Sequence, residues 1–197
     1  MKGVSDRMEL FLAILIGVGL SISAGFRVFT PLLIASVAGK LGWLPLASSF
    51  EWISSTPALI AFIVAFILEV GSNYIPIVDN ALKAISAPLA LVAGTLLSIS
   101  VIGIDESPFL AWGMAFVTGG GAATITQLTS TAVRSTSTVT TGGLGNPVVA
   151  FFEDVISVLI SILSIALPVL VLVIVGIILF IFFKLMSKIR NRKTRVT

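Results

Sequence analysis

Residues 118 to 154 read TGGGAATITQLTSTAVRSTSTVTTGGLGNPVVAFFED, a run of Gly, Ser and Thr that carries Arg134 and ends on Glu153-Asp154. The segments on either side are apolar enough to live in lipid. A membrane-spanning helix needs about 20 mostly apolar residues, and this run is too long and too polar to be one plain span. Irregular polar backbone at membrane depth is tolerated only where protein buries it or where it lines a wet cavity. The sequence therefore predicts a lipid-facing frame around a polar centre, with this run broken or re-entrant.

Composition supports the frame. The 197 residues are 57% hydrophobic and 11% charged, where a soluble domain carries about 25% charged residues. That length allows about six spans and leaves no room for a separate soluble domain. The basic balance does not point to nucleic acid. Six of the twelve Lys and Arg residues lie in the last fourteen positions (Lys184, Lys188, Arg190, Arg192, Lys193, Arg195), where they read as an anchor beside anionic headgroups. With no Cys and no His, a disulfide, a thiolate nucleophile, an imidazole base and a His-ligated metal are all excluded. No catalytic set or cofactor motif is present, so neither an enzyme nor a cofactor is expected. The opening MKGVSDRMEL and the apolar residues after it are read as a first span rather than a cleaved leader, because the apolar run continues past Arg27.

Taken in order, Met8 to about Ala24 is a span, followed by Gly25-Phe26-Arg27-Val28-Phe29-Thr30-Pro31 and a second apolar piece to about Leu44. As one helix, residues 9–44 would be about 54 Å long, against a hydrocarbon core of about 30 Å. The element must break, and Gly25 and Pro31 mark the place. Residues 45–56 read as a loop or interfacial helix with Trp43 and Trp52 in the aromatic belt. Pro57 to Ile75 is a second span, Asp79 caps a short helix, and Pro88 to Ile104 is a third span. Phe109 to Arg134 is a second overlong element. Asn146 and Pro147 open a further helix to Leu167, and Pro168 opens the last.

The halves, 1–107 and 108–189, repeat one order of features. Each has an overlong Gly-containing element with one Arg (Arg27, Arg134), then a span with an acid (Glu69, Glu153), then a Pro-led apolar span (from Pro88, from Pro168). Three spans per half would invert the second half relative to the first, an arrangement that places a site at the repeat interface. The charge bias predicts both termini on the cytoplasmic side of the cytoplasmic membrane. Small-residue content makes a homo-oligomer plausible.

Ionisable residues inside apolar sequence are the candidate site. Arg27 and Arg134 either grip an anion or pair with acids. Glu69 follows eight apolar residues and has Asn73 four positions on, on the same helical face; such a carboxylate could carry protons or bind a cation. Glu153 and Asp154 are adjacent and so point to different faces. Residues 138–146 (TVTTGGLGN), with Thr141 and Asn146, could present hydroxyls and backbone N–H groups to an ion. No P-loop Lys follows, and Gly119-Gly120-Gly121 reads as close helix packing.

The combination Ala24-Gly25-Phe26-Arg27, Glu69 through Ile75-Pro76-Ile77-Val78-Asp79, and Thr140-Thr141-Gly142-Gly143-Leu144-Gly145-Asn146-Pro147-Val148-Val149 with Glu153-Asp154 resembles a bacterial polytopic membrane family known as a domain of unknown function, DUF4126-like. The resemblance covers nearly the whole chain and implies a polytopic membrane protein of about this size, with no activity attached. Where that family often has an Asp-Lys pair, this chain has Asn73-Tyr74. A looser likeness, by analogy alone, is to cation/proton exchangers built as three-plus-three inverted repeats.

Together these features predict an all-helical protein of about six spans. Its polar centre would pass a small ion or polar solute, and its only other partners would be membrane lipids. Two Arg against Glu69, Glu153 and Asp154 leave one carboxylate over, which favours a cation or proton. A lipid-binding or scaffolding protein with every Arg paired is the alternative.

Overall fold

The structure, a computed structural model, describes residues 2–72, 76–103, 107–170 and 173, with side chains from residue 7 in the first block and from 85 in the second. Asn73, the side chains of Asp79 and Lys83, Asp105-Glu106, the last span beyond residue 170 and the basic tail lie outside the described residues. Among those described there is no strand. The elements are α1 (Lys2–Phe26), α2 (Phe29–Lys40), a 3₁₀ turn (Ser48–Ser54), α3 (Thr56–Ser72), α4 (Pro76–Ile102), α5 (Pro108–Ala115), a π-helical segment (Phe116–Gly120), α6 (Gly121–Thr141) and α7 (Asn146–Ala166).

Four stretches are long and apolar enough to cross a membrane: Arg7–Phe26, Ile85–Ile102, Pro108–Thr141 and Asn146–Ala166. Ser48–Ser54 with Thr56–Ser72, bent by 58° between them, makes a fifth if taken as one span. Helices of this length and composition are those of a multi-pass membrane protein. Six spans are thus not reached among the described residues.

The first overlong element breaks where a proline forces it. A helix running through residue 31 would drive the Pro31 ring into the carbonyl of Arg27. The chain leaves the helix at Arg27 and Val28 and resumes at Phe29, with Pro31 in the first turn of α2, where its missing N–H would have had no partner anyway.

Two expectations need correction. Pro88 does not open a span, because α4 runs through it from Pro76 to Ile102. A proline inside a helix forfeits one backbone hydrogen bond, and the packing of α4 on α1 and α6 outweighs that loss. The Ser/Thr-rich run, expected to be irregular, is helical from Gly121 to Thr141 and continuous with α5 through the π segment. Its hydroxyls make this possible. Thr118, Thr124, Thr126, Thr129, Thr131, Ser135, Thr136, Thr138, Thr140 and Thr141 each donate to the carbonyl four residues back at 2.7–2.9 Å. Side chains that bond their own helix need neither water nor a partner, so a polar sequence can stay helical at membrane depth.

Helix α1 is the hub, packed on α4, α6 and α7. Lipid supplies no hydrophobic drive between helices, so contact is made by small residues and hydrogen bonds. At the crossing of α1, α4 and α6 a Cβ on Gly25 would lie 2.4 Å from the Ala123 carbonyl oxygen. One on Gly94 would lie 2.7 Å from that of Gly119, and one on Gly119 2.4 Å from that of Gly94. On the α7 side, the Ser23 hydroxyl lies 2.8 Å from that of Ser157 and 2.6 Å from that of Ser161, all fully buried.

Gly25→Ala must push α1 off α6 and is expected to destabilise the detergent-solubilised protein by about 1–3 kcal/mol, the usual range for overpacking. Gly113→Ala, where the added Cβ meets nothing within 4 Å, should leave stability unchanged or slightly raised. Thermal unfolding followed by circular dichroism checks both.

Candidate functional site

The break between α1 and α2 exposes the start of α2, whose first backbone N–H groups have no partner within the helix. Val28 at the cap position has no side-chain hydrogen bond to offer. The cap comes from α3 instead. The Glu69 carboxylate accepts from the Val28 N–H at 2.7 Å and from the Phe29 N–H at 3.1 Å. A carboxylate at a helix start also meets the positive end of the helix dipole.

Arg27, at the break itself, is buried with 6% of its surface exposed. Its Nε lies 2.5 Å from Asp154 Oδ1. One terminal nitrogen donates to the Ala150 carbonyl at 3.2 Å and lies 4.0 Å from Glu153 Oε2. Glu153, also buried, is held from α6. Arg134 Nε donates to its Oε2 at 2.8 Å, a second Arg134 nitrogen pairs with the same oxygen, and the Ser130 hydroxyl donates to Oε1. The adjacent acids on α7 thus divide the two guanidiniums, Glu153 serving chiefly Arg134 and Asp154 serving Arg27.

In front of this network lies a cavity of about 520 Å³. It is bounded by the α1–α2 break, α3, α4 and α6. Glu69, Arg27, Arg134, Gln127 and Ser130 line it, with hydroxyls of α3, α4 and α6 among the other polar groups, and Phe26, Phe29, Leu68 and Leu89 are among its apolar lining. Gln127 Nε2 donates to the Ser86 hydroxyl at 2.8 Å. Among the described residues no group of three or more metal-ligating side chains converges.

The structure therefore brings Arg27, Arg134, Glu69, Glu153 and Asp154 to one region. Thr141 and Asn146 do not line the cavity, although Asn146 bonds Thr138, which does. Thr141 closes the exposed turn after α6, its hydroxyl accepting from the Gly145 N–H at 2.9 Å, while Asn146 Nδ2 donates to the Thr138 hydroxyl at 2.9 Å. Gly142 and Gly143, with φ of 64° and 90°, let the chain reverse there, because L side chains rarely adopt such angles. Asn73 is outside the described residues. Ser130 and Gln127 belong to the site and escape the sequence reading. Their signal is the spacing 127, 130, 134, one face of a helix, within the element read from Phe109 to Arg134.

Residues 14–188 match the family described as a domain of unknown function (DUF4126). The chain belongs to the DUF4126 family. No curated protein and no solved structure matches it.

A buried ion pair stripped of one partner leaves a charge without compensation, at a cost of about 3–5 kcal/mol. Glu153→Leu should therefore destabilise strongly, as should Arg134→Met. Arg134→Met combined with Glu153→Leu should lose clearly less than the sum of the two singles. Thermal unfolding of the four proteins in one detergent gives the coupling, and strict additivity would mean that the pair is not formed.

Proposed function

We propose that this DUF4126 protein passes a small ion or polar solute across the cytoplasmic membrane. The observation that carries the reading is the cavity of about 520 Å³ that reaches the Glu69 carboxylate at the point where a membrane helix is broken. Broken helices whose termini face a cavity are how many transporters place a binding site in the bilayer. Ionisable side chains inside a membrane are expensive and line solute pathways or relays. The charge balance supports a cation or proton: among the described residues Arg27 and Arg134 are engaged by Glu153 and Asp154, and Glu69 is the carboxylate left over. We assign the protein no covalent chemistry.

The reading includes two inverted halves, 1–107 and 108–189, with both termini cytoplasmic. What supports the halves is where the acids find their partners, although helix packing itself runs freely across the boundary. Glu69 of α3 binds the start of α2 within the first half, Arg134 of α6 binds Glu153 of α7 within the second, and Arg27 with Asp154 joins the two. In this reading Glu69 takes the cation or proton, and the Arg27–Asp154 pair is the charged link between halves that the Ser23–Ser157 and Gly94–Gly119 contacts also join.

One observation favours the alternative, a lipid-binding or scaffolding protein: both guanidiniums already have carboxylate partners, as a closed structural network requires. Flux separates the two. Protein in liposomes should pass protons or a monovalent cation. Glu69→Gln should lower that flux at least about tenfold, equivalent to 1.4 kcal/mol of barrier, with Glu153→Gln impaired as well. Equal flux of every ion tested in wild type, both variants and empty liposomes would remove the transport reading.

A further inference from the structure

We infer that the substrate of this cavity is a small lipophilic organic cation, an ammonium or phosphonium with apolar substituents, whose charge rests against Glu69. The inference deepens the transport reading and rests on it. Size is the first argument. At about 520 Å³ the cavity falls within the roughly 300–1,000 Å³ of small-molecule sites. A bare monovalent ion would leave most of it to water, and water gains little beside walls made of Phe26, Phe29, Leu68 and Leu89. An occupant with an apolar body covers those walls and an ion does not.

Charge is the second argument. The guanidiniums of Arg27 and Arg134 face the cavity, and each is matched from behind by an acid of α7. Glu69 has no cationic side chain within ion-pair distance among the described residues; its carboxylate oxygens take the N–H groups of Val28 and Phe29. Those two bonds hold the carboxylate in place and leave each oxygen with a further lone pair. With all five ionised, Arg27, Arg134, Glu69, Glu153 and Asp154 carry one negative charge in excess, and Glu69 on the cavity wall is the acid with no guanidinium at ion-pair distance among the described residues.

Aromatic placement is the third. Phe26 and Phe29 flank the break that Glu69 caps, and both line the cavity. An aromatic face attracts an organic cation by its quadrupole, the more so away from water. Among the described residues the acids do not converge as a metal ion would require, which again suits a cation that needs one carboxylate and an apolar shell.

Tetraphenylphosphonium and tetraphenylborate share a shape and differ in the sign of their charge, so they isolate the claim. Equilibrium dialysis against purified full-length protein in maltoside micelles, with empty micelles subtracted, should show saturable binding of the phosphonium and at least about tenfold weaker binding of the borate. Glu69→Gln should weaken phosphonium binding at least about tenfold, a difference of 1.4 kcal/mol. Ala65→Trp, which adds bulk at a half-buried lining position one turn before Glu69, should do the same, and it guards against a Glu69 variant that fails to fold. Equal binding of both probes, or full phosphonium binding by both variants, overturns the inference. Proton or sodium flux in liposomes without any saturable phosphonium binding overturns it and leaves the transport reading standing. Absence of both flux and binding overturns the two together.

Discussion

A charge buried in a membrane protein must find its counter-charge within the protein, and this requirement organises the centre of the fold. Arg27 stands where α1 stops, with Asp154 at 2.5 Å and Glu153 nearby. Glu153 in turn holds Arg134 and Ser130. Removing any one partner strands another, so α1, α6 and α7 are bound into one register around the network. The helix break is part of the same arrangement. It frees two backbone N–H groups, and a carboxylate from α3 takes both.

Around that centre the helices approach closely because their contact residues are small. Gly25, Gly94 and Gly119 meet where α1, α4 and α6 cross, and a line of buried serines joins α1 to α7. Dispersion contacts and short hydroxyl bonds replace the hydrophobic drive that lipid cannot supply. Helix α3 is different. Among the described residues its side chains are exposed or half-buried, with Ser72 alone fully buried, and Glu69 is one of the half-buried ones.

Much of this was legible from residue order. The membrane class follows from low charge and long apolar runs. The first break follows from Pro31 and a length the bilayer cannot hold. The close packing of Gly119 and Gly120 follows from their type, but Gly121, read with them, has nothing within 4 Å of an added Cβ. The start of α7 at Asn146-Pro147 was also legible, although Gly145 rather than Asn146 takes the cap position. The helical state of residues 121–141 was not legible, because hydroxyl groups carry two opposite meanings. They favour turns when they bond locally outside a helix, and they permit a helix when they bond the carbonyl one turn back. Composition is the same in both cases. Gln127 and Ser130 lie within the element read from Phe109 to Arg134, and as uncharged residues they drew no notice although they share a helical face with Arg134.

By itself the sequence determined that the chain is helical and membrane-spanning, that it breaks before Pro31, and that five ionisable residues must sit in or near lipid. Those outcomes depend on local sterics and on transfer from water, which each segment carries with it. The tertiary structure alone decided which acid meets which Arg, that Glu69 caps a helix rather than an arginine, and that Thr141 and Asn146 stand at an exposed turn outside the cavity lining. Pairings of that kind join residues up to 127 positions apart, as in Arg27 with Asp154. They depend on how whole helices cross, which no local stretch of residues encodes.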